Sequence, residues 1–168
     1  MTDTRIVAQG ALLLSVALCI QSLRFILPLP PFVSMISIGT GVNLMLLLLA
    51  HRVSLKGAVI TSGALPVTAC LQGQLPLFVF CPAIAVANII FAVVASRYHR
   101  EVRIWLAPFC KAGALYLMSW GIVLVAELPP AMTHTILFMM GLGQLITATI
   151  ALFLEKKIEN RIFYEKNC

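Results

Sequence analysis

Apolar stretches of roughly 15 to 23 residues recur along the whole chain, separated by short gaps that hold most of the charges and prolines. Coiled as a helix at about 1.5 Å per residue, such a stretch crosses the roughly 30 Å hydrocarbon layer of a bilayer. Composition agrees: 61% of residues are hydrophobic and 11% are charged, too few charges to coat a soluble globule. A soluble enzyme is excluded, and so is intrinsic disorder, which needs a chain poor in apolar residues.

The runs predict an all-α polytopic membrane protein, a bundle of six transmembrane helices over residues 6–23, 35–50, 57–71, 77–96, 104–126 and 135–154. Residues 1–168 form one integral membrane domain, with 155–168 as a cytoplasmic tail. The net charge of +6 does not point to nucleic acid, because the basic residues sit in the gaps between runs. Arg5, Arg52, Lys56, Arg97, Arg100, Arg103, Lys156, Lys157, Arg161 and Lys166 fall on one side, Arg24 alone on the other, and Lys111 inside a run. By the positive-inside rule both termini are cytoplasmic. The weak n-region and missing A-x-A site argue that the first run is retained, and the residue before Cys19 is too large for a lipoprotein site.

The outer connections are rich in proline: Pro28, Pro30 and Pro31, then Pro76, then Pro129 and Pro130. Fixed φ angles make them stiff, which suits either a ligand-capturing mouth or simply sharp turns. The inner connection Arg97-Tyr98-His99-Arg100-Glu101-Val102-Arg103 would meet anionic lipid headgroups or only set topology. Pro66, Pro82 and Pro108 fall within runs and should bend their helices.

A polar residue inside an apolar run is expensive in hydrocarbon unless it faces the bundle interior. Asn43 lies about 12 Å below the outer end of the second run, Asn88 about 17 Å down the fourth and Gln144 about 13 Å down the sixth. These carboxamides share one level, where they would line a pocket for a small neutral or zwitterionic solute or hydrogen-bond between helices. Lys111, about 10 Å from the inner end of the fifth run, is expected to snorkel; the alternative is a buried cation that meets an anionic group or couples two helices. Tyr116 and Trp120 share a helix face directed towards Glu127 at the outer rim, as a stacking platform or as interface packing. Glu127 and Arg24 there would pair or clamp a charged ligand. Ala11, Ser15 and Cys19 form a small-residue stripe suited to close helix approach.

No phosphate-binding G-x-x-x-x-G-K-[ST] loop, H-E-x-x-H pair or G-x-S-x-G elbow occurs, so no enzyme activity is expected. The cysteines show no ligand spacing and the histidines lie at opposite ends of the bundle, so neither metal nor cofactor is expected. No filter motif or internal repeat suggests a channel or a two-fold secondary transporter.

Gly39-Thr40-Gly41-Val42-Asn43, Gly63-Ala64-Leu65-Pro66 and Pro82-Ala83-Ile84-Ala85-Val86-Ala87-Asn88, with Lys111 and Gln144-Leu145-Ile146-Thr147-Ala148, resemble the membrane-embedded S components of energy-coupling factor (ECF) transporters. Length and topology agree with that family. The resemblance implies a substrate-binding subunit of an ATP-driven importer in the bacterial plasma membrane, capturing a vitamin or similar micronutrient. Its partners would be a coupling transmembrane subunit and two ATPase subunits. It also implies a ligand site in the outward half involving Gln74, Asn88, Tyr116, Trp120, Glu127 and Gln144, to which Asn43 is added by its depth, and docking of the coupling subunit at Ala11 and Ser15. Ser15 departs from the family's A-x-x-x-A stripe, and the signatures of biotin, thiamin or riboflavin binders are absent. The alternative function is a small membrane scaffold of the cell-shape machinery, of the MreD type, which needs no polar layer at one depth.

Overall fold

The computed structural model describes residues 3–27, 30–73 and 78–166, and all regular structure among them is helical. Helix α1 spans Asp3–Ile26, α2 Pro31–Leu48, α3 Leu55–Leu71, α4 Phe80–Arg97, α5 Arg100–Ala126, α6 Pro130–Phe138 and α7 Gln144–Lys166. A π-helical turn at Leu49–Val53 extends α2, and another at Met139–Gly143 joins α6 to α7. Among the described residues five stretches are long and apolar enough to cross a membrane: Thr4–Ile26, Phe32–Val53, Phe80–Arg97, Arg100–Ala126 and Pro130–Arg161. Leu55–Leu71 is apolar but shorter.

Local chemistry sets the ends. Pro31 and Pro130 open α2 and α6, where a missing N–H leaves no bond unmade. Ser54 caps α3 by accepting from the Gly57 N–H at 3.4 Å. Helix α5 stops at Glu127, left-handed at φ 47°, and Pro129 and Pro130 follow. Pro66 and Pro108 lie inside α3 and α5 as expected. Pro82 does not lie mid-span: α4 begins at Phe80, so this proline occupies the first turn, where its nitrogen has no carbonyl to serve. The stretch after Leu154 is helical as well: α7 continues to Lys166, and Glu155, the first residue of that stretch, is buried in the bundle.

Between apolar helices in lipid, close fit rather than water exclusion holds neighbours together, and small residues permit it. Helix α2 packs on α1 and α7, and α4 lies between α3 and α5. A Cβ on Gly41 would come within 2.8 Å of Ile20 Cγ2, and one on Gly39 within 3.1 Å of Thr147 Cγ2. The two glycines therefore set the distance of α2 from α1 and from α7. Leu47, Phe91, Ala95, Ala107, Ala148, Ala151 and Leu152 form a fully buried apolar core where α2, α4, α5 and α7 meet.

Candidate functional site

Above that apolar core lies a cavity of about 140 Å³. Its lining comes from the C-terminal ends of α1 (Gln21, Arg24) and α3 (Leu65, Pro66, Ala69), from α2 between Met35 and Asn43, and from the N-terminal half of α4. These are the same end of an antiparallel bundle. Lys111 of α5 and Gln144, the first residue of α7, complete it.

The floor is a hydrogen-bonded chain. Lys111 Nζ donates to Asn43 Oδ1 at 2.5 Å, Asn43 Nδ2 donates to Thr147 Oγ1 at 3.2 Å, and Thr147 Oγ1 donates to the Gln144 carbonyl at 3.2 Å. The ammonium also lies 5.0 Å from the centre of the Phe91 ring, a cation–π contact. Lys111 is 2% exposed, so it does not snorkel as expected. Asn43 supplies an acceptor and Phe91 a π face inside the bundle, which hold the ammonium there. Asn88 is 4% exposed, and neither it nor Gln144 makes a side-chain hydrogen bond among the described residues.

The mouth is tied by polar contacts between α1, α2 and α3. Gln21 Nε2 donates to Thr68 Oγ1 and to Gln72 Oε1, each at 3.2 Å, and Gln72 Nε2 donates to Ser22 Oγ at 3.1 Å. Arg24 Nε donates to Ser34 Oγ at 3.2 Å, so the guanidinium turns to α2 and not to Glu127.

At the opposite end, below the apolar core, a compact ionic cluster joins four elements. Glu155 of α7 receives His51 through Nδ1 and Arg103 Nη2 at 3.3 Å; His51 Nε2 faces the Ala95 carbonyl at 3.0 Å. Glu159 bridges Arg103 at 3.7 Å and Arg52 at 3.6 Å. The π turn at Leu49–Val53 carries His51 and Arg52 into this cluster. Cavity and cluster are thus separated by the seven-residue apolar core.

The structure brings Asn43, Asn88 and Gln144 of the sequence-predicted set around one cavity. It does not bring Tyr116, Trp120 or Glu127 there. Tyr116 lies in a separate groove with His134 and Phe138, packed beside Gly141; Trp120 is half exposed, and Glu127 caps α5 at the rim. Their shared face on α5 turns away from Lys111, whose side chain points to α2. Gln74 lies outside the described residues. Ala11 and Ser15 are exposed on α1, and the Ser15 hydroxyl donates back to the Ala11 carbonyl at 2.9 Å. Reasoning from sequence passed over Thr147, Gln21 and Glu155. The first two carried the same signal as Asn43, a polar group inside an apolar run, whereas Glu155 stood where a solvated tail was expected. No family model, curated protein or solved structure matches the chain.

Proposed function

We propose that this chain is the substrate-capture subunit of an ECF-type importer, a six-span bundle in a bacterial plasma membrane with both termini in the cytoplasm. The observation that carries the reading is the partly polar cavity, with an apolar core beneath it, at the end of the bundle poor in basic residues. A solute-binding subunit needs such a site, closed below so that no solute leaks through. Here the closure is an apolar core followed by the His51–Arg103–Glu155 cluster. A scaffold has no use for the Asn88 and Gln144 carboxamides, which line the cavity without a side-chain hydrogen bond among the described residues.

In this reading the outer connections admit a micronutrient to the cavity, and the bundle then tilts within the membrane to release it inside. Two ATPase subunits and a coupling transmembrane subunit supply the energy, the latter docking on the exposed Ala11–Ser15 face of α1. Basic residues around Arg97 and Arg100 rest on anionic lipid headgroups.

The test is to isolate the tagged chain from its own membranes in mild detergent and identify co-purifying proteins by mass spectrometry. Recovery of a pair of ATPases with a helical membrane protein supports the importer. Recovery of cell-wall or cytoskeletal proteins in their place overturns it.

A further inference from the structure

We infer that the cavity takes a small monoanion, a short-chain carboxylate, with the Lys111 ammonium as its counter-charge. The biological setting rests on the capture reading; the ligand chemistry rests on the cavity.

Charge balance is the first ground. Among the described residues two cations, Lys111 and Arg24, line the cavity, and no carboxylate does. Of the six acidic residues, Asp3 and Glu101 lie in first helical turns, Glu127 at a helix end, and Glu155, Glu159 and Glu165 on the last stretch of α7. Within the bundle, then, Lys111 is a 2% exposed cation with no ion-pair partner among the described residues. Desolvating an ammonium carries a penalty of several kcal/mol. One carboxamide oxygen and one aromatic ring offset part of it, and two of its three N–H groups are left to donate to a further partner. A neutral or zwitterionic solute leaves the Lys111 charge uncompensated, whereas a monoanion pairs with it; Arg24, the other cation, donates to Ser34 Oγ.

Donor geometry is the second ground. The Nδ2 of Asn43 is engaged by Thr147, but the carboxamides of Asn88 and Gln144 have donors to offer. A carboxylate accepts through two oxygens and offers no hydrogen, so it matches an ammonium flanked by amide donors. Size is the third. A volume of about 140 Å³ resembles the roughly 150 Å³ cavity that holds benzene, some six heavy atoms, and falls below the roughly 300–1,000 Å³ of pockets for drug-sized molecules. Above the floor the walls are apolar, with Met35, Ile38, Val42 and Ile84, which suits a short hydrocarbon body.

The test uses the purified full chain in detergent and follows thermal unfolding with straight-chain carboxylates from acetate to hexanoate, each beside its primary amide and an amine of equal size. Carboxylates should raise the unfolding temperature and the matched amides and amines should not. Two variants probe the ammonium. Lys111→Met removes it, and Asn43→Asp, nearly isosteric, gives it an internal carboxylate; each should weaken carboxylate binding about 10- to 100-fold, the equivalent of one charge-assisted hydrogen bond. Equal stabilisation by amides, preference for amines, no response to any carboxylate, or unchanged carboxylate binding in a folded Asn43→Asp protein would each overturn the inference. If carboxylates fail while ATPases co-purify, the anion assignment falls and the importer stands. If carboxylates bind and no ATPase co-purifies, the site stands and the importer falls.

Discussion

Replacing Glu155 by Gln keeps the side chain's shape and removes its charge from the ionic cluster. Glu155 is 1% exposed, and its two partners, His51 and Arg103, are 13% and 12% exposed, so water replaces little of what is lost. Each charge-assisted hydrogen bond contributes roughly 1.5–3 kcal/mol, and breaking a buried pair from one side typically costs about 3–5 kcal/mol. Two effects soften the loss. Arg103 keeps Glu159 at 3.7 Å, and the new amide oxygen still accepts one neutral bond of about 1 kcal/mol. The net destabilisation is then about 2–4 kcal/mol. Glu159→Gln is the comparison, because Glu159 is 25% exposed and its contacts, at 3.6 and 3.7 Å, are long. A pair of that kind contributes about 0–1 kcal/mol. With roughly 2–4 °C per kcal/mol for a chain of this size, Glu155→Gln should unfold about 4–16 °C below the parent protein and Glu159→Gln within about 4 °C of it. Both are read by thermal unfolding in one detergent. Equal losses in the two variants would refute the view that burial, and not the mere presence of ion pairs, makes this cluster a fastener.

Lys111→Met is expected to change the stability of the unliganded protein by less than about 2 kcal/mol, because relief of an unpaired buried charge offsets the acceptor left idle on Asn43; the same unfolding assay reads it. A Gly41→Ala substitution should destabilise by about 1–3 kcal/mol, since its Cβ meets the branched Cγ2 of Ile20, fixed close to the α1 backbone, at 2.8 Å. Gly113→Ala, with nothing within 4 Å, should be neutral or stabilise by up to about 1 kcal/mol, and the pair is compared by denaturation midpoint. On the exposed face of α1, the proposed importer reading expects Ser15→Trp to abolish co-purification of a coupling subunit while shifting stability by no more than about 0.5 kcal/mol, as read by pull-down beside thermal unfolding.

Much of this molecule is legible in one dimension because hydrocarbon is an unforgiving solvent. An apolar run long enough to cross it must be helical, since no water is there to satisfy the backbone, and the expected runs correspond closely to the helices observed. For the same reason Asn43, Asn88 and Gln144 stood out as interior residues before any coordinates were known. Depth follows from position in the run, and the three do meet around one cavity.

Azimuth and partner do not follow from depth. Tyr116 and Trp120 are correctly placed four residues apart on one face of α5, but that face is turned away from the cavity by the packing of α5 against α4 and α7. Lys111 has a stem long enough to reach the interface, and it stays inside because α2 places a carboxamide oxygen, and α4 an aromatic ring, beside it. Glu155 looks like part of a solvated tail until α5 and the π turn after α2 supply Arg103 and His51. The sequence by itself determined a helical membrane bundle, its approximate spans and the level of its polar layer, because those depend on one residue at a time against a uniform solvent. Only the tertiary structure decided which polar groups share a cavity, which are left without partners and where charge is balanced, because those are properties of pairs of residues that the chain separates by 44 to 104 positions.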